Sequence, residues 1–151
     1  MTFGGGITIE YFFLFFLGLK RPFFTKNSKK LFSNLDFDLM NIAAEFLLEA
    51  NDFKSFSKLH CDVNTHICDV RKAIWEQRGE IWVFSIEADR FLRNMVRSII
   101  GTILEIGQLK ISIIELIDII NKSDRIYAGP SVPAHGLFLT KVEYPENIFV
   151  K

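Results

Sequence analysis

The stretch RFLRNMVRSIIGT, residues 90–102, combines a periodic apolar pattern with three arginines. The spacing predicts a helix that begins after Asp89, which is a plausible N-cap. At about 100° per residue, Arg90, Arg93 and Arg97 fall within about 60° of one another, and the apolar side chains take the opposite side. The predicted helix therefore buries one face and presents a basic face near its N-terminus.

Positive charge in the first turns of a helix is opposed by the helix dipole, by about 0.3–1 kcal/mol for each cation. Such a local conflict is typical of functional sites, and the arginines and the dipole would act together on a phosphate or a carboxylate. Asn94 and Gly101 flank the basic face, and Gly101 would let another backbone come close. The alternative is a solvated face whose arginines form ordinary surface ion pairs.

Outward from this helix, hydrophobic periodicity and turn residues predict six further elements. Two are helices: residues 36–52, capped by Asp36, and the segment SIIELIDIINKSD, which begins with the capping box Ser112 and Glu115. Four are strands: the apolar run Tyr11–Leu19, two arms of a hairpin that turns at Arg78-Gly79, and LFLTKVEY, residues 137–144. The order β, α, β, β, α, α, β predicts an α+β fold, an antiparallel sheet with helices packed on one face.

Composition limits the classes of function. The chain has 151 residues, 49% hydrophobic and 24% charged, which is typical of one globular domain. The formal net charge is zero, so a nucleic-acid contact would need local clusters. Residues 20–30 contain five cations and no acid; a solvated loop is the default interpretation, and a loop that contacts phosphates is the functional alternative. The nine-residue apolar run is too short to span a membrane, and the two cysteines lack metal-ligand spacing, which favours reduced thiols in the cytoplasm.

Two segments, FSIEADRFLRNMVRSIIGTILEIGQ and SDRIYAGPSVPAHGLFLTKVEYP, resemble the C-terminal half of the TruA-type tRNA pseudouridine synthases. The resemblance covers about residues 36–145 and includes NDFKSFSKLHCDVNTHICDV. It implies a pseudouridine synthase C-terminal domain with ferredoxin-like elements over residues 36–151. Residues 1–35 then form an aberrant N-terminal segment, with the aromatic strand and the basic loop.

The resemblance implies that the chain serves the isomerisation of uridine to pseudouridine in tRNA, without a metal or a cofactor. The target base must leave its stack to be reached, and an essential aspartate acts as nucleophile or base. Arg97 matches the arginine that keeps this aspartate ionised and oriented. The substrate-binding candidates are Tyr11, Arg90, Arg93, Asn94, Gly136 and Leu137, of which Leu137 would pack on the base.

The family's Gly-Arg-Thr-Asp-Ala-Gly segment, which carries the aspartate, is not found in this sequence. Four acids could replace it by residue type only: Asp62, Asp69, Asp89 and Asp124. We therefore expect the chain alone to be inactive on its tRNA partner and to require a missing N-terminal half. Apolar surface on the strand at residues 11–16 would favour a homodimer. The alternatives are a non-catalytic RNA-binding or interaction module, and a non-functional gene remnant.

Overall fold

The computed structural model describes residues 7–16, 35–58 and 63–144. Four strands are β1 (Thr8–Phe16), β2 (Val70–Arg78), β3 (Ile81–Ala88) and β4 (Leu137–Glu143). Three α-helices are α1 (Phe37–Glu49), α2 (Met95–Gly107) and α3 (Ile113–Lys122), and single 3₁₀ turns lie at Lys54–Phe56, Arg125–Tyr127 and Ala134–Gly136. The order of strands and α-helices confirms the predicted one, and the predicted basic loop at residues 20–30 lies outside the described residues.

The four strands form one antiparallel sheet in the order β2-β3-β1-β4. This confirms the α+β prediction. β1 pairs with β3 along eight residues and with β4 along six, so the aromatic strand is an inner strand. It lies between strands that come from the segment after residue 35.

The core lies between the sheet and the helices. Because strand side chains alternate between faces, Tyr11, Phe13 and Phe15 point to the same side of β1. Phe13 and Phe15 are fully buried there, together with Phe84 of β3. On this face the neighbouring strands and the helices cover β1, so the aromatic surface that was expected to be exposed is buried there, whereas Phe12 and Leu14 on the other face are only partly buried. The exposed large apolar side chains among the described residues of the sheet are Ile74 on β2 and Phe138, Leu139 and Val142 on β4.

Two predicted helix starts are confirmed by side-chain caps. Asp36 Oδ1 accepts a hydrogen bond from Leu39 N at 3.0 Å, and Ser112 Oγ accepts one from Glu115 N at 3.1 Å. Each bond satisfies one of the N–H groups that the first turn of a helix leaves without a partner. These caps fix where α1 and α3 begin, which places α1 against β2 and α2.

The hairpin is confirmed, but its turn lies one residue later than predicted. Arg78 pairs with Ile81, so the two turn residues are Gly79 and Glu80. Gly79 has φ of 65°, a left-handed conformation that glycine adopts without a steric cost. This conformation sets the two-residue connection between β2 and β3.

The largest correction concerns the opening stretch. α2 begins at Met95, so Arg90 and Arg93 precede the helix, and the predicted three-arginine helical face is wrong. Asp89 does not cap the helix: its Oδ1 accepts a hydrogen bond from Asp69 N at 2.8 Å, and its own N–H donates to Asp69 O. These bonds extend the hairpin pairing past β3 and delay the helix.

Candidate functional site

A loop that follows the Arg125–Tyr127 turn packs along α2. Gly129 N donates to Thr102 Oγ1 at 2.9 Å, which fixes one end of the contact. Five residues earlier in the helix, Arg97 holds the other end with two bonds. Val132 N donates to Arg97 O at 3.1 Å, and Arg97 Nε donates to Val132 O at 2.7 Å. Arg97 thus binds the loop that leads to β4 through both its backbone and its side chain.

Gly101 makes this contact possible. A Cβ built on Gly101 would lie 1.6 Å from the carbonyl oxygen of Pro130 and 2.8 Å from its carbonyl carbon. The obstacle is backbone, which cannot rotate away as a flexible side chain would. The prediction that Gly101 admits another backbone is therefore confirmed, and the loop residues 129–132 supply that backbone.

Three polar side chains meet beside the loop. Asn94 Nδ2 donates to Ser131 Oγ at 2.7 Å, and Arg125 Nη2 donates to the same oxygen at 3.1 Å. Arg125 Nη1 also donates to Ala128 O at 3.4 Å. Asn94 occupies the N-cap position of α2 with φ of 67°, but its side chain makes no cap hydrogen bond. Its side-chain amide instead donates to the loop. Asparagine tolerates this left-handed conformation better than most residues do.

Arg97 keeps its positive charge in this arrangement. Its recorded side-chain partner is a carbonyl oxygen, and among the described residues no carboxylate lies within ion-pair distance of it. The bond to Val132 uses Nε and leaves the two terminal nitrogens of the guanidinium for another acceptor. The side chain is half-buried, so its direction is fixed while its charge is available.

The other two arginines of the opening stretch differ from each other. Arg90 Nη1 donates to the carbonyls of Thr65 and Ile67 at 3.0 and 2.9 Å, and this holds the segment before β2. Arg93 is exposed, and within the described residues its side chain has no recorded hydrogen bond or ion pair. Its backbone carbonyl accepts a hydrogen bond from Lys58 N at 2.9 Å, which brings a second exposed cation beside it.

Tyr11 and Leu137 lie on the same face of two paired strands. Leu137 is opposite Phe13 in the register of β1 and β4, and Tyr11 is two residues from Phe13. The Tyr11 ring contacts Phe91 edge to face, with centroids 5.2 Å apart. Gly136 precedes Leu137 and is buried; a Cβ there would lie 2.8 Å from the Phe13 ring. The absence of a side chain at Gly136 thus lets the turn lie flat against β1.

The structure shows what the candidate replacement acids do. Asp89 receives the Asp69 N–H, Asp69 pairs with Arg71 at 3.1 Å, and Asp124 Oδ1 receives the Ile126 N–H at 3.2 Å. Each therefore has a local structural partner, and Asp62 lies outside the described residues. Among the acids that the structure describes, none forms an ion pair with Arg97.

The described residues contain no group of three or more His, Cys, Asp or Glu side chains that could share a metal ion. Within the same ranges, no helix combines the length and apolar composition needed to cross a bilayer. Cys68 is a free buried cysteine; burial raises the pKa of its thiol to about 11, although the nearby Arg90 charge opposes this rise.

Sequence reasoning missed Ser131 and Arg125. Ser131 lies between two prolines in a segment without periodicity, and Arg125 follows the end of a helix, so no local pattern distinguishes either of them. Phe91 was predicted only as part of the apolar helix face, whereas it lies before the helix and contacts Tyr11. These contacts depend on how the loop and β1 meet α2, which the sequence does not display.

Comparison with known proteins gives consistent matches. The family model described as tRNA pseudouridine synthase matches residues 43–145. A tRNA pseudouridine synthase A from Parabacteroides distasonis is 52% identical over 130 residues, which are 86% of this chain and 52% of that protein. One from Bacteroides fragilis is 50% identical over 132 residues, 87% of this chain and 52% of that protein.

A more distant relative with the same name, from Francisella tularensis subsp. novicida, is 38% identical over 116 residues, 76% of this chain and 45% of that protein. The chain therefore spans about half the length of the curated relatives it matches.

Proposed function

Because this chain belongs to the tRNA pseudouridine synthase family, we propose that it supplies the C-terminal half of an enzyme that isomerises uridine to pseudouridine in tRNA. The observation that carries the proposal is the pair of hydrogen bonds between Arg97 and Val132, in the loop that leads to Leu137. It fixes a charged guanidinium beside the segment that, by resemblance, lines the base pocket. The other half would supply the reactive carboxylate.

Arg97 is suited to orient such a carboxylate. An adjacent cation favours the ionised form of a carboxyl group, and a guanidinium offers a planar pair of donors to both oxygens. Nε is already committed to Val132 O, which sets the plane of the group. A carboxylate delivered by the N-terminal half would therefore meet a prepositioned donor pair, and it would be held ionised for attack on the substrate.

The remaining site residues extend this proposal. Tyr11 and Leu137 share one face of β1 and β4, and they would form the apolar wall against the displaced base. Asn94 and Gly136 hold the loop and the turn in place, and Arg90 and Arg93 add positive charge near the start of α2. Base stacking on apolar walls and cationic contacts to phosphates are the usual elements of RNA recognition.

The test is tritium release from 5-tritiated uridine in an unmodified tRNA transcript. We expect no release with the 151-residue chain alone. We expect release when the N-terminal half of the Parabacteroides distasonis relative is fused ahead of it. Turnover by the isolated chain would contradict the need for a second half, and an inactive, folded fusion would contradict the proposed activity itself.

A second candidate is a non-catalytic RNA-binding module. It is favoured by the exposed cations Arg93 and Lys58, which the bond from Lys58 N to Arg93 O holds side by side. Filter binding of tRNA to the chain alone tests it: Arg93→Ala should weaken binding and lower the salt dependence. Failure of the chain to bind tRNA at low salt would reject this candidate.

Association with another chain is also proposed. β4 pairs with β1 on one side, and its side chains Phe138, Leu139 and Val142 are 49%, 56% and 40% exposed. Exposed apolar side chains on an edge strand favour contacts with another polypeptide. A homodimer or the missing N-terminal half would cover them. Light scattering at micromolar concentration tests this, since a monomer would contradict the homodimer.

A cytoplasmic location completes the proposal. It is supported by the free Cys68, which is buried and has no disulfide among the described residues, and by a substrate that is made inside cells. Fractionation of cells that express a tagged chain would test it, and recovery from the membrane fraction would contradict it.

A further inference from the structure

The Ser131 hydroxyl is a polar group of the site whose hydrogen bonding the described residues do not complete. A hydroxyl has two acceptor lone pairs and one proton to donate. Both acceptor positions of Ser131 Oγ are occupied, by Asn94 Nδ2 at 2.7 Å and Arg125 Nη2 at 3.1 Å. Its proton has no recorded acceptor among the described residues. The two donors, Asn94 and Arg125, therefore orient the Ser131 hydroxyl, which is itself a donor. These three side chains form one cluster.

Arg125 gives the cluster a positive charge, and its remaining N–H groups and the Ser131 hydroxyl offer donors to a ligand. Arg125 reaches a carbonyl and a hydroxyl, so neither partner neutralises its charge. Among the described residues, neither Asp124, which accepts from Ile126 N, nor Glu105, whose carboxylate lies against Gly129, forms an ion pair with Arg125. A ligand at Ser131 is expected to accept hydrogen bonds and to gain from positive charge. A phosphate does both, whereas a neutral base edge accepts hydrogen bonds without a negative charge, and an ammonium group has no acceptor.

We propose that Arg125, Ser131 and Asn94 form a binding site for one phosphate of the RNA backbone. The Ser131 hydroxyl donates to a phosphate oxygen, Arg125 supplies the charge through its remaining N–H groups, and Asn94 fixes the hydroxyl. This inference rests on the proposed function, in which the ligand of the chain is tRNA. Arg125 and Ser131 contact the substrate backbone, and Asn94 is a positioning residue.

The placement explains the unusual conformation of Asn94. Its side chain would gain a cap hydrogen bond with a β-region backbone, but it has φ of 67° and turns its amide to Ser131. Strained positions of this kind persist where the surrounding structure requires them, and they concentrate at ligand sites. Arg97 binds the same loop at Val132. A phosphate at Ser131 would therefore lie one residue from the point where the proposed catalytic arginine contacts the loop.

The experiment is a filter-binding titration of an unmodified tRNA transcript with the full 151-residue chain, repeated over a series of KCl concentrations. Arg125→Gln should weaken binding about tenfold and lower the slope of log affinity against log salt by about one. Ser131→Ala should weaken binding about tenfold with a smaller change of slope, because it removes a donor without removing charge. Ser131→Thr keeps the hydroxyl and should restore most of the affinity.

Arg78→Gln is the matched control, since Arg78 pairs with Glu76 on β2, and it should leave affinity and slope within about twofold of the original. Thermal melting of each variant separates folding from binding, and Arg125→Gln decides the question if Ser131→Ala does not fold. Binding by the original chain with unchanged affinity and slope in Arg125→Gln would overturn the phosphate site and leave the proposed function standing. No binding by the original chain at low salt would overturn the phosphate site, whereas the proposed function would still be decided by tritium release from the fusion.

Discussion

The sheet and the helix–loop side of the molecule use their cations in different ways. All five ion pairs of the described residues involve cations on the strands: Arg71, Lys72, Arg78 and Lys141 each reach a carboxylate at 3.1–3.6 Å. On the helix–loop side, Arg90, Arg97 and Arg125 bind carbonyl or hydroxyl oxygens instead. The cations of the two sides therefore differ in whether a carboxylate neutralises them.

The comparison shows that a partner can orient a cation without neutralising its charge. A carboxylate partner cancels the field of the cation, whereas a carbonyl orients the guanidinium and leaves its full charge for a third group. This is the arrangement expected where an anionic substrate must be recognised without a high overall charge. The chain has zero formal net charge, so a local positive potential at these arginines would depend on their lack of carboxylate partners rather than on an excess of cations.

The largest expected effect is on catalysis through Arg97. In the fusion with an N-terminal half, Arg97→Ala should lower kcat on the order of 100-fold or more, because the carboxylate loses its oriented cation. Arg97→Lys keeps the charge but lacks the planar donor pair, so it should recover only part of the rate. Tritium release measures both, and Arg71→Ala on the sheet is the control.

If Arg97→Ala were as active as the unsubstituted fusion, the absence of a carboxylate partner at Arg97 would have no role in catalysis. Equal losses in Arg71→Ala and Arg97→Ala would show that general destabilisation, not a specific charge, explains the effect. Thermal melting of each variant is therefore measured alongside the rate.

The contact of the loop with α2 gives the next effect. Gly101→Ala places a Cβ 1.6 Å from Pro130 O, so the loop must move away from the helix. Ala favours a helix interior by about 1 kcal/mol, but overpacking against backbone costs about 1–3 kcal/mol. We expect a lower free energy of unfolding in urea and a larger loss of tRNA affinity than stability alone explains. Gly79→Ala, where no atom lies within 4 Å, is the control for strain without a clash.

How much of this could be predicted from the sequence depends on the range of the interactions. The caps Asp36 and Ser112 act on residues three positions away, so the starts of α1 and α3 were predicted correctly. The start of α2 was not, because Asp89 is bound by Asp69, twenty residues earlier. Local patterns therefore gave the order of the elements, and distant contacts shifted one boundary.

The site shows the same limit. A glycine in an apolar helix indicated that a backbone would approach, and this was correct, but nothing local identified Pro130 as that backbone. Arg97 was assigned by resemblance, and the structure adds that Val132 holds it. Ser131 accepts one bond from Asn94, 37 residues earlier, and one from Arg125, six residues earlier across an irregular loop, and neither contact follows from a local pattern.

Arg90 tests whether a carbonyl-bound arginine has a structural or an electrostatic role. Arg90→Met removes both the bonds to Thr65 and Ile67 and the charge, so it should lower the free energy of unfolding by about 1–2 kcal/mol. Arg90→Gln can retain one donor and should lose less stability. If both variants reduce the salt slope of tRNA binding by about one, Arg90 also contacts the RNA; unchanged slopes confine it to holding the segment.

The smallest effect is expected on the sheet, at Lys141. Its hydrogen bond with Glu87 and the nearby carboxylates raise the pKa of Lys141 above its usual value of 10.5. A raised pKa of a base means that the folded state holds its proton more tightly. The contribution is fully present below pH 10.5, and it is lost as the pH rises through the raised value. Lys141→Met should therefore remove a small part of the stability that the original chain loses as the pH rises above 10.5.

Urea unfolding of the original chain and Lys141→Met at pH 7, 10 and 11.5 measures this difference, with Lys110→Met as the control on an exposed lysine. The gap between the original chain and Lys141→Met should narrow as the pH rises, whereas Lys110→Met should follow the original chain. The exposed position of Lys141 and screening by salt keep the effect small. A gap that widens at high pH would reverse the sign of the linkage and contradict the ion pair with Glu87 as its cause.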